Sequence, residues 1–408
     1  MSLSTLAMCG GTPTRTLATA PWPLFEQDEI DAVSAVLSSG KVNYWTGPQC
    51  RAFEDEYAAF VGVPHAISLS NGTVALELAL KALGVQAGDE VIVPAKTFIA
   101  SASAVVTCGA RPVVADVDLL SQNLTADTIR AVLTPRTKAI VIVHLGGWPA
   151  KMDAIMALAR EHGLWVIEDC AQAHGAEIDG KPVGSFGDCG AFSFCQDKII
   201  TTGGEGGMLV IKDEAVWKRA WAYKDHGKGY DRVHQENHPK GFRWLHDSFG
   251  TNMRMTEMQA AIGRLQLRKL PHWHARRTEN ALALHEGLQD VPGLVRAMPD
   301  TAVKHGWYRY YAFLDLPKLA PGWDLVAVVE AISAEGVPCF VGSCSEIYRE
   351  KAFVDNGWGL QHALPNAGRL TQSSLALLVH PTLSVSDMQI AAAAIKKVMA
   401  VALSQALA

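Results

Sequence analysis

The sequence predicts an α/β layered fold joined to a second, smaller α+β domain, and three observations predict it. From about residue 55 to 215, short apolar and β-branched runs alternate with longer segments of helical spacing. The runs are nearly continuous in apolar residues, as strands buried on both faces are. After Gly250 a long helical pattern gives way to a mixture of strands and helices of about 120 to 140 residues, enough for a domain of its own.

Taken in order, the apolar runs predict strands at 66–69, 90–93, 112–115, 138–143, 165–168, 190–194 and 207–211. Between them, helical spacing predicts helices at 73–83, 125–133 and 151–162. The pattern from Thr256 to roughly Gln289 opens with Met258, Ala261, Ile262 and Leu265 at spacings of three and four. Pro271 interrupts it, and a proline inside a helix removes a hydrogen bond, so a break or kink is expected there. Strands at 310–314 and 337–341 and helices at 325–334 and 385–402 complete the reading.

Composition narrows the function classes. The chain has 408 residues, 49% hydrophobic and 19% charged, so it can bury a large core and is not a disordered segment. Lys and Arg total 36 against 41 Asp and Glu, a net charge of −5 without a basic run, which argues against non-specific nucleic-acid binding. Eight cysteines lie scattered without a paired CxxC spacing, so a disulfide framework is not expected. The first 25 residues lack the basic start of a signal peptide, and no apolar stretch of about 18 residues runs uninterrupted. A cytoplasmic protein with reduced thiols is expected.

Ligands of buried sheets bind at the loops after the carboxyl ends of strands, and three such loops carry polar groups. Ser70-Asn71-Gly72-Thr73 lies between a strand and a helix, where backbone N–H groups and a hydroxyl make a phosphate site; the alternative is that Asn71 or Thr73 only caps the helix. Asp169 follows the strand run of Ile167-Glu168, where a carboxylate needs a cationic or hydrogen-bonding partner. A metal held by Asp169 and His174 is conceivable, but no further ligand stands at an obvious spacing, so no metal is expected. Lys198 sits between the apolar run 190–194 and the glycine-rich turn 203–207. Burial disfavours an ammonium and yields a nucleophilic amine, although a solvated loop lysine has the same sequence signature. GxxxxGK[ST] is absent, so the glycines are not a P-loop. A phosphate cradle, a carboxylate and a lysine on strand-terminal loops of one domain together suit pyridoxal 5′-phosphate: the lysine forms the imine and the carboxylate keeps the pyridine nitrogen protonated.

These stretches resemble the DegT/DnrJ/EryC1/StrS family of sugar aminotransferases. The resemblance rests on Ser70 to Leu76, Gly88 to Pro94, Thr97-Phe98, Glu168 to Gly175, Phe192-Ser193-Phe194 with Lys198, Gly204 to Gly207, and Asn252 to Ala261, in family order. It implies fold type I of pyridoxal phosphate-dependent transferases, aspartate aminotransferase-like, with a mixed, mostly parallel sheet in the large domain. The expected division is an N-terminal arm at 1–20, a large cofactor-binding domain at 21–265 and a small domain at 266–408. It further implies a homodimer with a shared active site. Lys198 would be the Schiff-base lysine, Asp169 the partner of the ring nitrogen, Gln172 a neighbour of the ring hydroxyl and Phe98 a stacking ring. Gly72, Thr73 and Ser193 would hold the phosphate, and Asn252 would reach the other subunit's cofactor phosphate. Cys170 and Cys195 become neighbours of Asp169 and Lys198.

The implied reaction is transfer of an amino group from L-glutamate or L-glutamine to a keto group of a nucleotide-linked deoxysugar. A cyclitol or aminohydroxybenzoate-type enzyme is the alternative within the family, and Gly10-Gly11-Thr12-Pro13 and Pro21-Trp22-Pro23 resemble cyclitol members. Lys198 argues against the dehydratase branch that carries histidine there, and no segment is spare for the DNA-binding domain of a regulator. Two departures stand out. Asp197 precedes Lys198 where relatives more often carry Ser, Thr or Gly, and it is expected to point outward. Val341 to Arg349 replaces the His-Tyr stretch of many nucleotide-sugar members. Polar-aromatic loops nominate Trp22, Trp45, His305, Trp307, Tyr308, Arg309, Ser345, Tyr348 and Arg349 as substrate contacts.

Overall fold

Apolar runs that bury both faces must pair side by side, and in a computed structural model of the chain they do. The structure describes residues 3–234, 241, 243–342 and 346–403. In chain order the strands are β1 (His65–Leu69), β2 (Glu90–Pro94), β3 (Arg111–Ala115), β4 (Thr137–Val143), β5 (Trp165–Asp169), the short β6 (Glu177–Ile178) and β7 (Lys181–Pro182), β8 (Cys189–Ser193) and β9 (Gly207–Ile211). Seven of them form one sheet in the order β1-β9-β8-β5-β4-β2-β3, parallel except for β9, which runs antiparallel to β1 and β8. β2, β8 and β9 are buried at every residue, which is why their sequences do not alternate.

Helices Gly72–Ala82, Ala100–Thr107 and Met152–His162 connect the parallel strands and cover the sheet. The expected helix at 125–133 is a shorter Ala126–Arg130, opened by a capping box at Thr125 and Thr128.

A second, four-stranded sheet in the order β10-β12-β14-β13 is built from β10 (Leu294–Arg296), β12 (Tyr310–Leu314), β13 (Cys339–Phe340) and β14 (Ser374–Leu377). β11 (Val303–Lys304) instead pairs with β6 at the edge of the larger unit. Helices Leu325–Ala334 and Val385–Ala402 bury their apolar faces against the second sheet in a separate hydrophobic cluster.

The long helix Glu257–Gly287 leads from the first sheet to the second along the chain, and the break expected at Pro271 is not there. Pro271 lies inside it and the helix continues. Its start is fixed by a capping box of Thr256 and Gln259, and its length packs against Gln27–Ser39, Gln49–Val61 and Val385–Ala402. Packing along the whole length outweighs the one hydrogen bond that proline removes. Among the described residues, no helix is long and apolar enough to cross a membrane.

Four histidines are buried with their titration pushed down by burial: His174, His305 and His380 to about 3, and His274 to about 4. Between those values and an unfolded value near 6.5, the unfolded chain takes protons that the native chain refuses. Stability is therefore fully present above about pH 6.5 and falls as the pH drops below it, by up to about 1.4 kcal/mol per pH unit for each histidine. Burial pushes the Glu54 and Asp169 carboxyls up, which offsets part of this slope. The expected result is a thermal midpoint that falls steadily from pH 6.5 to 4.5; a midpoint constant over that range contradicts it.

Candidate active site

The loops after β1, β2, β5 and β8 open into one cavity of about 810 Å³, and strand ends of the second sheet close its far wall. Its lining brings together Gly72, Thr73, Phe98, Asp169, Gln172, Ser193, Lys198, Tyr308 and Arg309, all singled out from sequence.

Each group is placed by local structure. Asn71 is the N-cap of Gly72–Ala82 and its side chain accepts from the Val74 amide at 3.0 Å. The capping reading of this loop is thus correct for Asn71, while the first amides of the helix, at Gly72 and Thr73, remain available to an anion. Gly72 is required by close approach: a Cβ there would stand 2.6 Å from the Ser193 Cβ. Gly72→Ala must therefore push the helix start away from the end of β8. The expected result is at least about tenfold weaker uptake of pyridoxal phosphate by the apo protein in an absorbance titration, and unchanged uptake contradicts it. Of the glycine-rich turn only Glu205 lines the cavity; Gly207 instead packs against the Asn71 backbone, where a Cβ would meet its carbonyl oxygen at 2.3 Å.

Asp169 ends β5 at the cavity floor and is 8% exposed. One carboxylate oxygen accepts from the Ser101 hydroxyl at 3.0 Å and the other from the Ala171 amide at 3.2 Å. Ser101 is itself 2.9 Å from the Thr97 hydroxyl. Burial nevertheless pushes the Asp169 carboxyl above the ordinary carboxylate range, against the pull of Ala171, Ser101, Lys198 and His144. Such a carboxylate is completed by a cationic N–H partner, as a protonated pyridine nitrogen is. Gln172 is held by its Oε1, which accepts from the Gly146 amide at 2.7 Å.

His174, weighed as a metal ligand, has both ring nitrogens engaged: Nδ1 with the Tyr57 hydroxyl at 2.8 Å and Nε2 with the Ser193 carbonyl at 2.9 Å. It braces the end of β8 below the cavity. Glu168, beside Asp169, points to the opposite face and gathers the amides of Gly184, Phe186 and Gly187 with His144 Nε2.

Lys198 reaches the cavity with a side chain 17% exposed. Asp197 does not point outward as expected. Its carboxylate lines the cavity, with one oxygen 3.2 Å from Lys198 Nζ and the other accepting from the Tyr308 hydroxyl, 3.9 Å from Arg309. Burial raises its carboxyl, but Lys198, Tyr308 and Arg309 outweigh burial and hold it below the ordinary range.

Several nominated substrate contacts are elsewhere. Trp307 is buried in the core of the second sheet, stacked on His305 at 3.9 Å, because the turn holding both docks on Gly146 and Gly147. Tyr348 is buried in the larger core, its hydroxyl bonded to Glu346 and to the Leu364 amide. Trp22 donates its indole N–H to the Lys198 carbonyl at 2.9 Å and so braces the lysine loop. Trp45 packs edge-on against Trp221 and beneath Lys228. Arg349 is exposed and paired with Glu346. Ser345 lies outside the described residues, as do Ser343 and Cys344. Asn252 is exposed and does not line its own chain's cavity.

The sequence assigned no role to Thr97, Ser101, Phe340 and Gly342, and took Glu205 only as part of the glycine-rich run. The hydroxyls of Thr97 and Ser101, four residues apart after β2, were the available signal for a polar relay; Phe340 and Gly342 gave none.

The chain matches the DegT/DnrJ/EryC1/StrS aminotransferase family over residues 23–396. It is similar to an L-glutamine:2-deoxy-scyllo-inosose aminotransferase of Streptomyces kanamyceticus, 38% identical over 97% of each chain. It is likewise similar to a UDP-N-acetyl-3-dehydro-alpha-D-glucosamine 3-aminotransferase of Acidithiobacillus ferrooxidans, 38% identical over 88% of this chain and 90% of that one. Among solved structures, an aminotransferase from Psychrobacter cryohalolentis superposes with a TM-score of 0.91 at 51% identity, over 93% of this chain and 98% of that one.

Proposed function

The chain belongs to the DegT/DnrJ/EryC1/StrS aminotransferase family, and we propose that it moves an amino group from L-glutamate or L-glutamine to the keto group of a nucleotide-linked deoxysugar. It is a pyridoxal 5′-phosphate-dependent aminotransferase of fold type I. The observation that carries the site assignment is the meeting of Asp169, Lys198 and the Gly72–Thr73 helix start in one cavity of about 810 Å³. That volume lies in the upper part of the usual range of small-molecule sites, about 300–1,000 Å³, and leaves room for a sugar beside the cofactor.

The residues fit the cofactor. Gly72, Thr73 and Ser193 would hold its phosphate, Asp169 the protonated ring nitrogen, Gln172 the ring hydroxyl, and Phe98, 63% exposed at the mouth, one ring face. Bound pyridoxal phosphate supplies an electron sink for the pair released at the donor α-carbon. Lys198 is the covalent attachment point and, once freed, the amine that takes the α-proton and returns it. Asp169 holds its positive partner charged while negative charge develops beside it. Tyr308 and Arg309 present a hydroxyl and a guanidinium to the substrates from the opposite wall.

The same reading divides the chain into the arm 1–20, the large domain 21–265 and the small domain 266–408; its support is the separate cluster on the second sheet, while Phe313, Ile347, Tyr348, Phe353, Ala367 and Leu370 of the last segment pack into the cluster of the larger sheet. It makes the active unit a homodimer in which Asn252 serves the partner's cofactor phosphate. Its support is that Asn252 is exposed and that Trp244 and Phe249 leave large apolar surface uncovered. Buried, unpaired thiols at Cys50, Cys170, Cys189 and Cys339 agree with a reducing cytoplasm.

A cyclitol acceptor is the second reading, favoured by the full-length similarity to the scyllo-inosose enzyme. A panel of UDP- and dTDP-linked keto sugars and scyllo-inosose, each with L-glutamine and L-glutamate, decides between them. Turnover of a nucleotide-linked keto sugar is the expected result; turnover of scyllo-inosose alone overturns the nucleotide-sugar reading.

A further inference from the structure

An amino donor of the α-amino acid type must bring a carboxylate within a few ångströms of the amine that works on its α-carbon. In this cavity that amine is Lys198, and the other cation among the described lining residues is Arg309. The place a donor carboxylate needs, beside Lys198 Nζ and against Tyr308 and Arg309, is filled by the chain's own carboxylate. Asp197 sits 3.2 Å from Lys198 Nζ, on the Tyr308 hydroxyl and 3.9 Å from the Arg309 guanidinium.

Resting on the aminotransferase reading, we propose that Asp197 is a built-in occupant of the donor-carboxylate site, displaced toward solvent when the donor's α-carboxylate binds Tyr308 and Arg309.

The two sides of this contact differ in freedom. The amides of both Tyr308 and Arg309 donate to the Gly146 carbonyl. The guanidinium lies 4.4 Å from the Tyr308 ring centroid and donates to the Tyr308 carbonyl at 3.3 Å. These groups are fixed in place before a ligand arrives. Asp197 has half of its side-chain surface exposed, so a rotation carries its carboxylate into water without unpacking anything. Two carboxylates do not share one guanidinium face at this range without strong repulsion, so entry of the donor requires that Asp197 leave. Position 197 thereby sets the threshold for carboxylate ligands: simple acids that offer only a carboxylate compete poorly with an occupant already in place, whereas a donor with further contacts displaces it. Asp197 is a specificity-determining residue in this account, and Tyr308 and Arg309 are the groups that touch the donor.

The test measures binding of glutarate, an unreactive dicarboxylate, to the pyridoxal phosphate-loaded protein by calorimetry. Asp197→Asn is expected to bind glutarate about tenfold more tightly than the parent protein, and Arg309→Gln about tenfold more weakly, with Arg309→Lys between. Asp197→Ser, which removes the carboxylate and most of the side chain, should follow Asp197→Asn. In steady state the KM for the amino donor should fall in Asp197→Asn while the KM for the keto acceptor stays within about twofold. Unchanged or weaker glutarate binding in both position-197 variants overturns the inference and leaves the aminotransferase reading standing. A chain that takes up no pyridoxal phosphate overturns both.

Discussion

Replacing Lys198 by alanine is expected to reduce amino transfer by at least about 10⁴-fold, because one substitution removes both the covalent attachment and the base that moves the α-proton. The rest of the cofactor site is untouched by the change. Gly72 and Thr73 start a helix and Asp169 and Ser193 end strands, and Trp22 holds the lysine loop through the Lys198 carbonyl, not through its side chain. The variant should therefore fold, take up pyridoxal phosphate reversibly and release it on dialysis. Single-turnover measurement with L-glutamine, beside an absorbance spectrum before and after dialysis, reads both effects. A rate within tenfold of the parent, or cofactor that resists dialysis as in the parent, contradicts the role given to Lys198.

Asp169→Asn is expected to be the second largest loss, about 10²- to 10³-fold in turnover, with cofactor uptake reduced far less. Asparagine keeps the shape: its Oδ1 can accept from the Ala171 amide, and its Nδ2 can donate to the Ser101 oxygen once that hydroxyl turns. What it lacks is the negative charge that holds a proton on its partner. Because Asp169 is buried, that charge acts through little intervening water and its loss is not made good by solvent. Comparison of turnover and cofactor affinity separates the two roles. If turnover and affinity fall by the same factor, Asp169 only helps to bind; the account requires turnover to fall much further.

Much of this site was legible before any coordinates because its chemistry sits where strands end. β2, β4, β5, β8 and β9 are apolar almost without interruption, so the polar residues at and after their ends stand out; Asp169 and Lys198 are found by that contrast, whereas Ser193 follows only from the family resemblance. The far wall was harder. Around residue 308 the chain is rich in aromatic and basic residues, and periodicity does not say which of Trp307, Tyr308 and Arg309 faces the cavity. Trp307 adopts a positive φ of 51°, and its ring turns into the core of the second sheet while the next two side chains face the site. Tyr348 was misjudged for a related reason: a hydroxyl that meets Glu346 and the Leu364 amide inside a core looks, in sequence, like one meant for a sugar.

Asp197 shows the limit of local reasoning most plainly. A carboxylate in a turn is expected in water unless cations draw it inward. Lys198 is adjacent in sequence, but Tyr308 and Arg309 are more than a hundred residues away, and they turn the balance. Pro271 is the backbone counterpart: a local rule predicts a break, and packing against three helices keeps Glu257–Gly287 continuous.

In the proposed reaction, amino transfer runs through a cofactor held covalently by Lys198 in the cavity above Asp169. It is tested most directly by treating the pyridoxal phosphate-loaded protein with borohydride, digesting it and locating the fixed cofactor by mass spectrometry. The expected result is one modified peptide, carrying the reduced cofactor on Lys198. A cofactor fixed to any other lysine, or to none, contradicts it.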